Sequence, residues 1–118
     1  MLAKFKNKLT VIVLCGGKGK RLLPITKNIP KPLIKINNKE IIYHILEHLK
    51  KYKLENIILA TGYKSELFKK IKLKPLSIKI VKSGVNKDII ERIRSISDNE
   101  NHYFLICYGD TIVNININ

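Results

Sequence analysis

The residues most able to do chemistry are gathered in two short stretches near the start of the chain and one near its end. Leu14-Cys15-Gly16-Gly17-Lys18-Gly19-Lys20-Arg21-Leu22 combines three glycines with three cations, and Pro30-Lys31-Pro32-Leu33 presents a lysine between two prolines. Glycine leaves room for a backbone N–H to approach a phosphate oxygen, since no Cβ stands in the way, and a glycine turn directly after a buried strand is a common phosphate cradle. Two familiar versions of that cradle do not fit. A P-loop needs four residues between its glycines and then Lys-Ser/Thr, and Gly17-Lys18-Gly19-Lys20-Arg21 has neither. The dinucleotide fingerprint accepts Gly17 and Gly19 but requires a glycine where Leu22 stands. The third stretch, Phe104-Leu105-Ile106-Cys107-Tyr108-Gly109-Asp110, sets a carboxylate just past an apolar run. There it could hold a metal, or simply cap the turn as aspartates often do.

These groups need a scaffold, and the apolar pattern supplies one. Leu9 to Leu14 is a continuous β-branched run, as expected of a strand buried on both faces of a parallel sheet. Gly16 to Ile36 reads as a long functional loop. Asn38 is expected to cap a helix reaching about Lys53, with Ile41, Ile42, Ile45, Leu46 and Leu49 on one stripe. Asn56 to Ala60 is a second buried strand, and Ser65 to Lys72 a short helix with Leu67, Phe68 and Ile71 inward. Ser77 to Val81 is a third strand, and Lys87 to Ile96 a helix with Ile89, Ile90, Ile93 and Ile96 on one side. Tyr103 to Cys107 is a fourth strand. The tail Thr111 to Asn118 alternates apolar and polar residues and is expected as a half-exposed edge strand. Strands alternating with amphipathic helices predict an α/β fold, a Rossmann-like, doubly wound, mostly parallel sheet, incomplete at its C-terminal end. Such sheets bind ligands beyond the carboxyl ends of their strands.

Composition narrows the partners. The 118 residues suffice for one modest domain, with 45% apolar residues. The net charge of +14 raises nucleic acid as a partner. However, the lysines are scattered, only three arginines occur, and no aromatic platform accompanies them, so no nucleic-acid partner is expected. Cys15 and Cys107 lack the spacing of a zinc site or disulfide framework and read as free thiols in a reducing cytoplasm. Lys4, Lys6 and Lys8 before the first apolar run imitate a signal peptide, but bulky Val13 and Leu14 stand where cleavage needs small residues. No run approaches the length of a membrane span, so no membrane partner is expected. His44-Ile45-Leu46-Glu47-His48 matches an inverted zinc-protease pattern, with only His102 left as a further histidine. Surface or boundary histidines are the preferred reading, and Tyr43, Tyr52 and Tyr63 read as half-buried helix and loop residues.

The arrangement Gly-Gly-x-Gly-x-Arg-Leu-x-Pro-x-Thr, then Pro-Lys-Pro-Leu, is met here by Gly16, Gly17, Gly19, Arg21, Leu22, Pro24 and Thr26, followed by Pro30 to Leu33. On these positions the chain resembles the sugar-1-phosphate nucleotidyltransferases. Tyr108-Gly109-Asp110, Ser83-Gly84 and Arg92-Ile93 bring it nearest the glucose-1-phosphate cytidylyltransferase branch. The resemblance implies a nucleoside triphosphate (CTP first, dTTP or UTP next) and a sugar 1-phosphate as substrates, Mg2+ as cofactor, and residues 1–118 as the nucleotide-binding front part of a longer domain whose sugar-binding part is absent. It implies Leu14, Gly16, Gly17, Gly19, Arg21, Lys31 and Gly109 around the nucleotide, Arg21 and Lys31 as catalytic cations, and Asp110 as a metal ligand. A homo-oligomer is compatible with it. Cys15 replaces a usual alanine, and Lys20 a usual threonine, either adding charge at the triphosphate or pointing to solvent. Ile89-Ile90-Glu91 stands where the branch has Thr-Gly-Gly, so side chains are expected in space that glycine leaves open. Three functions are therefore weighed: the front part of such an enzyme, a nucleotide-binding or oligomerising module without transfer activity, and a basic nucleic-acid-binding domain.

Overall fold

The computed structural model describes Phe5, 8–96 and 103–118. Four strands, β1 (Leu9–Cys15), β4 (Asn56–Thr61), β5 (Ser77–Lys82) and β6 (Tyr103–Tyr108), form one all-parallel sheet in the order β5-β4-β1-β6. The expected strands are therefore present, each extended by a residue at its C-terminal end. The chain walks outward from β1 through β4 to β5, then returns to the other side of β1 with β6. Ligands of open α/β sheets bind at the carboxyl ends of strands flanking such a reversal.

One face of the sheet carries the core. Val11, Val13, Cys15, Ile57 and Leu59 pack there against helix α1 (Ile41–Lys51), whose Ile41, Ile42, Ile45, Leu46 and Leu49 are all buried as the stripe predicts. Phe68 and Ile71 close one side of this layer, while Leu67 is only partly buried. Burying each such side chain contributes about 1.5–3 kcal/mol, which makes this face the dominant source of stability.

The ends of α1 differ from the expectation. Asn37 and Asn38 both have positive φ, 52° and 61°, and form the tight turn of a hairpin between β2 (Lys35–Ile36) and β3 (Lys39–Glu40). Two successive left-handed residues are what a two-residue hairpin turn demands, and asparagine tolerates that region. Asn38 therefore does not cap the helix; Glu40 stands at the cap position, with no side-chain cap hydrogen bond. At the other end Lys53 turns left-handed (φ 58°), its N–H donates to Lys50 O at 2.9 Å, and the Leu54 N–H reaches back to Leu49 O at 3.1 Å. This is a Schellman closure with lysine where glycine is usual, sealed by buried Leu54.

Three further expectations are corrected. Ser65–Phe68 forms a single 3-10 turn, so the helix expected to Lys72 stops early. The helix expected from Lys87 starts at Ile89 (α2, Ile89–Ile96). Asp88 and Glu91 explain this start: Asp88 Oδ1 accepts from the Glu91 N–H at 2.8 Å, and the Asp88 N–H donates to Glu91 Oε2 at 3.1 Å. That is a reciprocal capping box. The tail from Thr111 to Asn118 forms no strand, because no neighbouring strand offers it a ladder and alternation alone does not hold one.

Candidate functional site

The sheet reversal brings the ends of β1 and β6 side by side. Beyond β6 the Gly109 N–H donates to Leu14 O at 2.9 Å. A Cβ on Gly109 would lie 2.7 Å from that oxygen and 2.8 Å from Cys15 Sγ, so only glycine permits this approach. Asp110 is thereby delivered next to the loop that leaves β1.

That loop begins at Gly16 and folds back on itself. Gly19 takes a left-handed conformation (φ 61°), which lets the chain enter a short 3-10 turn at Lys20–Leu22. Thr26, almost fully buried, donates its hydroxyl to Gly19 O at 2.6 Å. Tyr63, from the segment after β4, brings its hydroxyl to 2.8 Å from Thr26 O and 2.6 Å from Lys27 O. The Tyr63 N–H donates to Gly16 O at 3.3 Å. Tyr63 thus pins both ends of the glycine loop, a role beyond the half-buried loop residue expected of it. No local pattern could reveal it, since its partners lie far away in sequence.

The loop frames a cleft of about 910 Å³ whose walls include Leu14, Gly16, Gly17, Gly19, Arg21, Lys31 and Asp110. Seven of the eight residues implicated by sequence therefore meet in one cavity, and Gly109 is buried behind its wall. Arg21 and Lys20 are exposed, with Lys20 also lining the cleft. Lys31 is presented by a 3-10 turn (Lys31–Leu33) that Pro30 leads into and buried Pro32 and Leu33 anchor.

Lys31 Nζ lies 2.8 Å from Asp110 Oδ2. Partial burial works to raise the Asp110 pKa, but the hydrogen bond and charge of Lys31, aided by the Thr111 hydroxyl at 3.1 Å, outweigh it and hold the carboxyl below its ordinary value. Cys15 shows the opposite balance, since complete burial, together with the Asp110 charge, pushes its thiol far up. Cys107 is also raised by burial. Both cysteines are free thiols, as the sequence predicts.

Arg92 is the residue whose part sequence patterning missed. The spacing puts isoleucines along one side of its helix, yet Ile89 and Ile90 are 45% and 62% exposed and line the cleft, while Arg92 is only 5% exposed. The Ile89-Ile90 side chains do occupy cleft space, as expected. Glu91 points away into its capping box. A cation inside a helix that looks apolar on one face carries no periodic signal. Its only legible trace was a place in a family-like Arg-Ile pair.

The histidine pattern does not form a metal site. His44 Nε2 is 2.9 Å from Ile36 O, Glu47 pairs with Lys39, and His48 Nε2 is buried without a hydrogen-bond partner. Among the described residues no three His, Cys, Asp or Glu side chains converge. His102, like Lys4 and Lys6, lies outside the described residues. No helix among the described residues is long and apolar enough to cross a membrane.

Comparison with known proteins agrees with this geometry. Residues 10–117 match the model of the nucleotidyl transferase family. A probable glucose-1-phosphate cytidylyltransferase from Bacillus subtilis is 32% identical over 92% of the chain. A D-glycero-alpha-D-manno-heptose 1-phosphate guanylyltransferase from Campylobacter jejuni is 44% identical over 68% of it. The chain spans 53% of the first relative's length and 36% of the second's. Among solved structures, a putative glucose-1-phosphate thymidylyltransferase from Bacillus anthracis superposes with a TM-score of 0.77 at 25% identity, covering 86% of this chain and 44% of that one.

Proposed function

The chain belongs to the sugar-1-phosphate nucleotidyltransferase family, and from that premise we propose that it forms the nucleotide-holding part of an enzyme joining a nucleoside triphosphate to a sugar 1-phosphate. The products are an NDP-sugar and pyrophosphate. One observation carries the reading: the glycine loop, Lys31 and Asp110 meet in a single cleft at the sheet's topological switch.

In this reaction a phosphate oxygen of the sugar 1-phosphate attacks the α-phosphorus in line, the bond to the β-phosphate breaks, and pyrophosphate departs. No protein nucleophile is required, so the residues act by positioning and by placing charge. Leu14, Gly16, Gly17, Gly19 and Gly109 shape the nucleotide's seat, with the loop amides toward the phosphates. Arg21, exposed at the rim, grips the leaving pyrophosphate with its planar fork. Lys31, held by its two prolines, offsets negative charge near the α-phosphate.

Asp110 suits a magnesium ion. It offers one hard carboxylate at the cleft wall, its side chain 33% exposed, and magnesium is ordinarily held by one or two carboxylates together with substrate phosphates and water. Held by Asp110, such an ion would supply positive charge to offset that developing on the leaving group. Relatives act, by their names, on different bases. CTP is the first candidate, on the likeness to the cytidylyltransferase, with dTTP and UTP next. The free thiols fit a cytoplasmic setting.

The test is a thermal-shift series with CTP, dTTP, UTP, GTP and ATP, each with and without magnesium, on this chain and on Arg21→Ala. A nucleotide at ~100 times its dissociation constant adds about 2.7 kcal/mol, a shift of several degrees for a domain of this size. A magnesium-dependent shift lost in the variant supports the reading. No shift from a cooperatively folding chain overturns it.

A further inference from the structure

Arg92 has no carboxylate partner among the described residues, although it is 5% exposed. Its guanidinium instead makes four hydrogen bonds to neutral acceptors. Nε donates to Lys87 O at 3.1 Å, Nη1 to Ser83 Oγ at 3.2 Å, and Nη2 to Val85 O at 3.2 Å and to Gly16 O at 3.3 Å. Ser83 in turn donates its hydroxyl to Thr61 O at 2.9 Å. One planar group therefore ties together the first residue of the glycine loop, the end of β4 and the loop before α2.

The fit around it is equally specific. A Cβ on Gly16 would lie 1.4 Å from Arg92 Nη1 and 2.3 Å from Cζ, and one on Gly62 would lie 2.9 Å from Nη1. The guanidinium occupies the space that side chains at both positions would need. Gly16 and Arg92 are thus interlocked across 76 positions of sequence. Burying an ion without a counter-ion is costly, and here the return is a rigid junction, since every acceptor sits where a flat, multi-donor group can reach it.

We propose that Arg92 is the positioning residue of the glycine loop, acting through Gly16 to hold the loop's amides in the arrangement that receives phosphate. The last clause rests on the nucleotidyltransferase reading; the bracing of the loop does not. Lysine at this position keeps the charge but supplies a single point of donation. It cannot span Ser83, Val85, Lys87 and Gly16 together.

The test uses the whole chain with Arg92→Met, Arg92→Lys, Arg92→Ala, Gly16→Ala and the double variant Gly16→Ala/Arg92→Ala. Without nucleotide, amide exchange of Tyr63 and Leu22, which donate to Gly16 O and Gly19 O, is expected to quicken about tenfold or more in both Arg92→Met and Arg92→Lys (a tenfold change corresponding to ~1.4 kcal/mol), while the amides of α1 keep their protection. Gly16→Ala is expected to lower the melting temperature much less in the Arg92→Ala background than in the wild type. With Mg·CTP, or whichever nucleotide first shifts the wild type, Arg92→Lys is expected to weaken binding by about tenfold (~1.4 kcal/mol) despite its charge. Unchanged loop exchange in a folded Arg92→Met, additive effects in the double variant, or full affinity in Arg92→Lys would each overturn the proposal. If no nucleotide binds the wild type, the functional reading fails, while exchange and the double variant still decide the role of Arg92.

Discussion

Lys31 and Asp110 are each other's counter-ion, with Nζ 2.8 Å from Oδ2 across the mouth of the cleft. The cation proposed to meet phosphate and the carboxylate proposed to hold metal thus neutralise one another, and a metal-bound nucleotide would replace this one pair with two. Removing the carboxylate frees the lysine. Asp110→Asn is therefore expected to strengthen binding of CTP in the absence of magnesium by no more than about fivefold, since a pair this exposed is worth ~0–1 kcal/mol, and to abolish any further gain on adding magnesium. Thermal shift in EDTA and in excess magnesium measures both.

The same pair has a pH signature. Asp110 titrates below its ordinary value in the folded chain, so its contribution to stability is complete above the unfolded pKa of about 3.9. It is lost as pH falls through the lowered folded value. Both side chains are about a third exposed, so the amount is small, as for surface pairs at ~0–1 kcal/mol. The stability difference between wild type and Lys31→Met is expected to be constant at neutral pH and to shrink only below about pH 4, the ordinary aspartate range. Urea titrations across pH follow it.

Burial raises both thiols, Cys15 far more than Cys107. Since the thiolate is the reactive form, a disulfide reagent at pH 8 is expected to label neither quickly in the native chain and both at once in denaturant. Cys107, only partly buried, is expected to react first under native conditions. Mass spectrometry of the labelled chain distinguishes them. Rapid native labelling of Cys15 would contradict its packing against Gly109.

Tyr63→Phe removes the hydroxyl that meets Thr26 O and Lys27 O. The expected cost is about 1 kcal/mol, or roughly 4–8 °C in melting temperature for a small domain, with nucleotide affinity falling in parallel.

Lys53→Gly is expected to stabilise the chain by roughly 0.5–1 kcal/mol, because Lys53 holds a left-handed conformation that glycine adopts without strain. Chemical denaturation reads it directly. A loss of stability would mean that the lysine makes compensating interactions at the helix end.

What the sequence by itself determined was local and periodic. The β-branched run of Leu9 to Leu14, the three later strands and the five-residue stripe of α1 follow from spacing alone, and each is found in the fold. The glycine loop and Asp110 were legible as residue types placed at strand ends. Other features were settled only in three dimensions. Asn38 reads as a helix cap until β2 and β3 pair around it and Asn37, since one asparagine can cap a helix or turn a hairpin. The tail alternates like a strand, but a strand exists only with a partner. The facing of Lys31 and Asp110, the reach of Tyr63 to Thr26 and the burial of Arg92 against Gly16 join residues far apart in the chain. Such contacts depend on which strands lie side by side and how closely their backbones approach, and neither is written in the neighbours of any one residue.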